Sequence, residues 1–433
     1  MPRPRPPSKV DPCSFPVFGM AWYADPGTGH SLVAYGGGGG SAKTGVHNNI
    51  VLLENDDVPQ QISTGEEMAV ALLIYADPVQ KGQIWLVACL GRKIHRFSLS
   101  SSSPIQSTPH GEIEIGESCN CIAMNSTSTL LGAGCENGVI LIYALDHRPE
   151  ASGWSVQSGP IATLEAHEKS VCALDFSARG DRLVSAGKDG FAMVWEKGTL
   201  LQKLECDIKD DQGPLPKRKQ QALVRGCAFA DLDGKVVLTV ASARKGRAFV
   251  SRWIQRDKDY VCQVRTPCSS VPISSINLSK DGGLLALGSV DGSIILWGVQ
   301  EWQALKSFPE VHDLPVTCIA ARPYPVGLRS DEDFVVHARS ASADSQLGIL
   351  TLQRRANRKA NSPSGDGSPL MDWTHRLLVT GFLVLLATPF YQDAVHRCGP
   401  VYSSQGIVSA TVCLRDRVLV APAKAPGIST PPF

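Results

Sequence analysis

Three stretches of the sequence repeat one order of short apolar runs and turn residues. The clearest copy spans residues 166–195, and two further copies span residues 273–297 and 121–143. Each copy has an Asp-Gly or Asn-Gly pair between two apolar runs. Such a pair is a strong β-hairpin signal, because both central residues of the turn need a positive φ. The repeat therefore predicts units of short antiparallel strands, as in propellers and other repeat arrays.

These units resemble WD repeats, in which four strands make one propeller blade. Four more segments fit the pattern less closely, and they lie at about residues 17–55, 66–99, 222–256 and 312–353. Together with the three clear copies they predict an all-β fold, a seven-bladed WD-repeat-like β-propeller followed by one C-terminal transmembrane helix. We place the propeller at residues 17–354, after an N-terminal arm at residues 1–16.

In WD repeats a His early in the blade hydrogen-bonds toward a turn Asp and a closing Trp. His167, Asp189 and Trp195 occupy these positions in the clearest copy. We interpret the three residues as blade scaffolding rather than as catalytic groups.

The bulk composition excludes some classes of partner and site. A net charge of +1 gives no global field that would attract nucleic acid, so no nucleic-acid partner is expected. Most of the 13 cysteines lie in apolar runs, which predicts reduced core thiols. Cys119 and Cys121 have no nearby partner that would complete a zinc site. The first residues lack the apolar region of a secretory signal, so the propeller is expected to fold in the cytosol.

An uncharged run follows the predicted propeller. Residues 355–375 have the composition of a flexible linker, residues 376–392 are predicted to span a membrane, and residues 393–433 form a tail. The uncharged run of roughly 15 residues is shorter than the usual ~20-residue span, so a thin bilayer and snorkelling by Arg376 would be needed. Basic residues before the run predict a cytosolic propeller and a lumenal tail. A buried core segment is the alternative interpretation.

A glycine-rich segment, residues 34–50, is the most unusual part of the sequence. Gly36–Gly40 are consecutive glycines, and Lys43 and Thr44 follow closely. A phosphate-binding P-loop needs Gly directly before the Lys and a helix after it, whereas here Ala42 precedes Lys43 and a strand-like run follows. Glycines can bring bare backbone against a partner, and convergent carbonyls can hold a monovalent cation. A flexible surface loop of blade 1 is the alternative.

The stretch Gly37–Asn48, near the start of a propeller with a C-terminal anchor, closely resembles the Sec-twelve family, known in animals as prolactin regulatory element-binding protein. The resemblance implies a guanine nucleotide exchange factor, a protein that acts without making or breaking covalent bonds. It would activate the Sar-type small GTPase at the endoplasmic reticulum membrane and so start assembly of the COPII vesicle coat. It also implies a GTPase-contacting loop, which in the fungal form holds a potassium ion. The residues carried over are Gly37, Gly38, Gly39, Gly40, Ser41, Lys43, Thr44, Gly45 and Asn48.

Two other functions remain open from the sequence. A non-catalytic WD-repeat trafficking scaffold would share the fold, but it would have no need of the glycine-rich motif. A DNA-binding transcription regulator, a role also ascribed to animal members of the family, would need a basic surface. The short basic cluster in the predicted propeller is residues 217–219, and a membrane anchor argues against a nuclear residence.

Overall fold

The computed structural model describes residues 8–25, 30–41, 45–54, 59–100, 105–146, 155–156, 159–206, 222–243, 246–322 and 334–353. Contacts divide the chain into two units, Met1–Arg354 and Arg355–Phe433. The predicted linker, transmembrane helix and lumenal tail lie outside the described residues and stay predictions. Within the described part of the chain, no helix is long and apolar enough to cross a membrane.

The described residues form seven antiparallel sheets, and each sheet is one blade. The first strand of the described residues is β1 (Ser8–Pro12), which belongs to the last blade. Blade 1 consists of β2 (Val17–Ala24), β3 (Ser31–Gly37), β4 (Asn48–Glu54) and β5 (Gln60–Gly65). Blade 2 consists of β6 (Ala69–Ala76), β7 (Ile84–Leu90), β8 (Lys93–Leu99) and β9 (Ser107–Glu114). Blade 3 consists of β10 (Cys119–Met124), β11 (Leu130–Cys135), β12 (Val139–Asp146), β13 (Ser155–Val156) and β14 (Ala162–Glu165).

The remaining blades follow the same order of strands from the inside outward. Blade 4 consists of β15 (Val171–Phe176), β16 (Arg182–Gly187), β17 (Phe191–Glu196) and β18 (Thr199–Glu205). Blade 5 consists of β19 (Leu223–Phe229), β20 (Val236–Ser242), β21 (Ala248–Arg256) and β22 (Asp259–Ser269). Blade 6 consists of β23 (Ile273–Leu278), β24 (Leu284–Ser289), β25 (Ile294–Gly298) and β26 (Gln303–Phe308). Blade 7 consists of β27 (Val316–Ala321), β28 (Phe334–Ser342), β29 (Gln346–Gln353) and β1. The predicted seven-bladed all-β propeller is confirmed.

Blade 7 takes its outer strand from the other end of the chain. Strand β1 pairs antiparallel with β29, with Ser8 opposite Leu350 and Pro12 opposite Gln346. The predicted arm at residues 1–16 therefore needs correction, because residues 8–12 are part of the propeller. Local sequence patterns could not indicate this pairing, because β1 and β29 lie at opposite ends of the propeller sequence. The strand closes the ring and leaves no unpaired edge on β29.

Every inner strand has the same irregularity near its first residue. In all seven, the register against the second strand shifts so that one residue is skipped, which is the mark of a β-bulge. Some skipped residues bridge neighbouring blades: Ser274 Oγ donates to the Val316 carbonyl at 2.7 Å, and Thr317 Oγ1 donates to the Val17 carbonyl. The second of these bonds joins blade 7 to blade 1.

The hydrophobic core is divided among the seams between blades. Seven clusters of buried apolar residues each combine side chains from two adjacent blades. The seam between blades 7 and 1, for example, contains Phe15, Tyr35 and Leu347. Because each blade buries its faces only against its neighbours, stability is spread around the ring, as in other repeat proteins.

The scaffolding interpretation of the WD-type residues is confirmed in blade 4. His167 Nδ1 lies 3.1 Å from both carboxylate oxygens of Asp189, and His167 Nε2 lies 2.9 Å from Ser185 Oγ. Trp195 Nε1 donates to the same hydroxyl at 3.0 Å. Burial raises the pKa of Asp189, but hydrogen bonds from His167 and two backbone N–H groups outweigh burial and hold that pKa below its usual range.

Blade 7 repeats part of this network, which the sequence analysis did not identify. His312 contacts the Asp344 carboxylate at 3.1 Å and Ser340 Oγ at 2.9 Å. Leu350 is the residue six positions after Asp344, where blade 4 has its tryptophan. The network thus braces the turn between β28 and β29 without the closing indole.

Candidate functional site

The glycine-rich segment forms the turn between β3 and β4 of blade 1, which we call the glycine loop (residues 38–47). Such turns lie on the face that also carries the connections between blades, which we call the loop face. Ten residues separate β3 from β4, whereas the corresponding turns of the other six blades contain two to five. The glycine loop is therefore an extension of a turn that the fold keeps short elsewhere.

The base of the loop has no room for side chains. A Cβ on Gly37 would lie 2.0 Å from the Pro16 carbonyl oxygen, and a Cβ on Gly38 would lie 2.3 Å from Asn48 Oδ1. Gly38 also has a φ of +140°, which L residues rarely adopt. Glycine is thus required at both positions because neighbouring atoms approach too closely for a side chain. At Gly38 the positive φ is a second reason.

Asn48, the first residue of β4, fastens the loop from within. Its side chain is 3% exposed. Oδ1 accepts the Gly40 N–H at 2.9 Å, while Nδ2 donates to the Gly40 carbonyl at 3.0 Å and to the Gly65 carbonyl at 3.1 Å. The sequence analysis grouped Asn48 with the GTPase-contacting residues. The structure buries its side chain, which holds the loop in shape, and the predicted contact with the GTPase stays a prediction.

The tip of the loop faces solvent. Ser41, Gly45 and His47 are exposed, and Gly39 and Gly40 are half-buried. A Cβ on Gly40 or Gly45 would meet open space, although both have a positive φ. Lys43 and Thr44 lie outside the described residues, so their predicted contacts stay predictions. The structure therefore brings Gly37, Gly38, Gly40 and Asn48 together at the base and leaves Ser41 and Gly45 accessible.

The oxygens at the base of the loop do not fit the implied potassium ion well. The Gly40 and Gly65 carbonyls converge on Asn48 Nδ2, which is a hydrogen-bond donor, and Asn48 Oδ1 is occupied by the Gly40 N–H. A cation cage needs several oxygens that converge on one point. Among the described residues of the loop, the convergence point is an amide nitrogen. The potassium ion stays a prediction that rests on the resemblance.

The connection from blade 1 to blade 2 adjoins the glycine loop, a contact that was not predicted from the sequence. Gly65, the last residue of β5, precedes the connection to blade 2, and its carbonyl accepts a hydrogen bond from Asn48 Nδ2. Across this connection, Thr64 Oγ1 donates to the Glu67 carbonyl at 2.6 Å. Glu66 and Glu67 are exposed. Nothing in the local pattern marks these residues, because the contact depends on how Asn48 is placed.

The described residues hold no side-chain cluster arranged to bind a metal ion, that is, no suitable group of three or more His, Cys, Asp or Glu. Cys119 lies near Cys89 at the seam between blades 2 and 3, whereas Cys121 packs at the seam between blades 3 and 4, where its Sγ lies 3.9 Å from the Val171 carbonyl oxygen. Burial raises the pKa of the Cys121 thiol well above its usual value, which is typical of an inert core cysteine.

Comparison with known proteins agrees with this fold. The model of the WD domain, G-beta repeat, matches residues 158–196 and 261–298. Each match runs from the outer strand of one blade through three strands of the next. Sqt1 from Chaetomium thermophilum has a similar solved structure, with a TM-score of 0.53 at 16% identity, covering 79% of this chain and 97% of that one. The fold therefore defines a WD-repeat β-propeller.

Two sequence relatives carry SEC12 in their names. The mouse protein named guanine nucleotide-exchange factor SEC12 is 23% identical over 359 residues, which cover 71% of this chain and 82% of that protein. SEC12-like protein 2 of Arabidopsis thaliana is 23% identical over 239 residues, 55% of this chain and 52% of the relative. The resemblance to the Sec-twelve family that the glycine-rich stretch predicts is confirmed by these relatives.

Proposed function

We propose that this protein is a guanine nucleotide exchange factor for a Sar-type small GTPase and that it starts COPII coat assembly at the endoplasmic reticulum. The observation that carries the proposal is the glycine loop, a ten-residue extension fixed at its base by Asn48 and exposed at its tip. The relatives named SEC12 exchange factors support the same function.

The geometry suits exchange because a fixed base and bare backbone let a loop press against a partner without losing its shape. Exchange makes and breaks no covalent bond, so the protein would not be an enzyme in that sense. By linkage, the factor speeds GDP loss only if it binds the empty GTPase more tightly than the GDP-bound one. The loop would displace elements that hold the nucleotide and its Mg²⁺, and the parts of blades 1 and 2 that adjoin the loop would supply the docking surface.

The proposal includes a single-pass anchor at residues 376–392, with the propeller in the cytosol, a linker at residues 355–375 and a lumenal tail at residues 393–433. The path of β29 is compatible with this arrangement. This strand starts on the loop face, where the Ser345 carbonyl accepts the Cys13 N–H, and it ends at Gln353 toward the opposite face. The last residue of β29 therefore lies away from the glycine loop.

The test is release of a fluorescent GDP analogue from purified Sar-type GTPase, with and without the full-length chain, in potassium and in sodium buffer. We expect acceleration of at least about tenfold, which corresponds to about 1.4 kcal/mol of barrier. Dependence on potassium would support an ion in the loop. A folded chain that leaves the release rate unchanged would contradict the proposal and favour the trafficking scaffold.

A further inference from the structure

The base of the glycine loop rests on the segment that joins β1 to β2, residues Cys13–Pro16, which we call the N-terminal seat. The Pro16 carbonyl accepts the Gly38 N–H at 2.9 Å. The same carbonyl oxygen would lie 2.0 Å from a Cβ on Gly37. The first two glycines of the loop base are therefore packed directly against the seat.

The bond between Pro16 and Gly38 has counterparts in other blades. The residue before the inner strand accepts an N–H from the turn between the second and third strands at 2.8 Å in blade 3, 2.9 Å in blade 4 and 3.0 Å in blade 6. The pairs are Ser118 with Glu136, Ser170 with Lys188 and Pro272 with Val290. In those blades the bond supports a turn of three or four residues, whereas in blade 1 it supports the ten-residue loop.

The seat is in turn held by blade 7. Phe15 is 2% exposed, and its ring centroid lies 6.0 Å from that of Tyr35. Phe15 belongs to the apolar cluster that contains Ala341 and Leu347 of blade 7. The Cys13 N–H donates to the Ser345 carbonyl at 2.8 Å. Directly before the seat, β1 pairs with β29 and closes the ring.

We propose that the N-terminal seat is a positioning element for the glycine loop, so that closure of the ring by β1 also sets the geometry of the loop. The role in exchange rests on the function proposed above. Among the described residues, the seat contacts the loop at its base, and its residues position the loop without being catalytic. A seat that loosens leaves Gly38 without its acceptor, and the loop then samples conformations that do not fit the partner.

The primary test compares Pro16→Gly with Pro272→Gly in the full-length chain. Both substitutions loosen the backbone beside an equivalent hydrogen bond, but only the first lies under the glycine loop. Amide hydrogen exchange at Gly38 and Gly40 is expected to rise about tenfold or more in P16G and to stay unchanged in P272G. The GDP release rate at saturating chain concentration is expected to fall at least about fivefold in P16G only, with the half-saturating concentration unchanged. Loss of folded protein alone would not give this split.

A second pair of variants keeps the test decisive if Pro16→Gly fails to fold. Phe15→Ala and Phe308→Ala each remove a buried phenyl ring from a seam between blades, and Phe308, at the end of β26, is 3% exposed at the seam between blades 6 and 7. After correction for the folded fraction, only F15A should raise exchange at Gly38 and lower the saturating release rate. Unchanged Gly38 protection in both P16G and F15A would overturn the proposal. If the wild-type chain itself fails to release GDP, the proposed function fails, whereas the amide measurement still decides the role of the seat.

Discussion

The side chain of Asn48 binds Gly40 from both sides, accepting its N–H at 2.9 Å and donating to its carbonyl at 3.0 Å. A third bond, to the Gly65 carbonyl, ties the same amide to the next connection on the loop face. One buried side chain therefore satisfies two backbone groups of the extended turn and one at the end of β5. The loop can be long and glycine-rich and still keep a defined base.

Replacing Asn48 with Ala should remove all three bonds and leave the backbone groups of Gly40 and Gly65 without their side-chain partner. We expect a loss of roughly 1–3 kcal/mol in the free energy of unfolding and a reduction of at least about tenfold in GDP release. Asn137→Ala is the matched control, because Asn137 is an exposed residue of the equivalent turn in blade 3, where Oδ1 accepts the Val139 N–H at 3.1 Å. Chemical denaturation and release kinetics of both variants check the prediction. Equal release by N48A and wild type would contradict it.

Gly38→Ala should strain the loop base, because the new Cβ would lie 2.3 Å from Asn48 Oδ1 and the φ of +140° disfavours L residues. Gly116→Ala is the control for positive φ alone, since Gly116 has a φ of +72° and open space around its Cβ position. We expect G38A to lose most exchange activity while the propeller still unfolds cooperatively, and G116A to keep its activity. The two circular dichroism melts and the two release rates provide the comparison. Full activity in G38A would remove the loop base from the mechanism.

Asp175 should make the seam between blades 4 and 5 sensitive to pH. Its carboxylate accepts the Phe229 N–H at 2.7 Å, and burial raises the pKa of Asp175 to about 7. Since the folded state binds a proton that the unfolded state has lost above about pH 4, stability should fall as pH rises from about 4 to 7, by up to roughly 1.4 kcal/mol per pH unit. Asp175→Asn should abolish this component and stabilise the protein at pH 8.

The chain offers a reciprocal variant for the same test. Asn277 occupies the position in blade 6 that Asp175 holds in blade 4, and its Oδ1 accepts the Ala321 N–H at 2.9 Å. Asn277→Asp should therefore introduce the pH dependence that Asp175→Asn removes. Unfolding free energies from denaturant titrations at pH 5 and pH 8 measure both effects. Parallel pH profiles for wild type and both variants would show that the carboxyl is not held in its neutral form.

His167→Ala should weaken blade 4 without touching the glycine loop. It removes the contacts to Asp189 and Ser185, which keep their bonds from backbone N–H groups and from Trp195, so we expect a loss of roughly 1–3 kcal/mol in unfolding free energy. The saturating release rate per folded molecule should match wild type. Thermal melts and release kinetics on the same samples measure the two quantities, and a fall in the release rate per folded molecule would assign His167 more than a scaffolding role.

Much of the fold could be predicted because the three inner strands of most blades carry strong local signals. Apolar runs such as Leu284–Ser289, which is buried throughout, alternate with turn pairs such as Asp291-Gly292. The segments fitted at residues 17–55, 66–99, 222–256 and 312–353 each correspond to three strands of one blade. The outer strands were missed because they are polar and solvent-facing. Gln60–Gly65, for example, has no fully buried residue.

The candidate site could be located from the sequence, but its construction could not. Five consecutive glycines mark the loop, whereas the burial of Asn48 depends on a strand register that only the folded blade defines. The contribution of Pro16 was hidden because its carbonyl, not its side chain, supports Gly38. Pairing of β1 with β29 was equally inaccessible, since it joins the two ends of the propeller sequence.

The most direct measurement is the affinity of the full-length chain for Sar-type GTPase, once emptied of nucleotide and once loaded with GDP. Because exchange requires preferential binding of the empty form, we predict at least about tenfold tighter binding to the empty GTPase. Gly38→Ala should reduce that preference, and Gly116→Ala should keep it. Equal affinity of the wild-type chain for both forms would contradict the account, since a factor without such a preference cannot drive release of GDP.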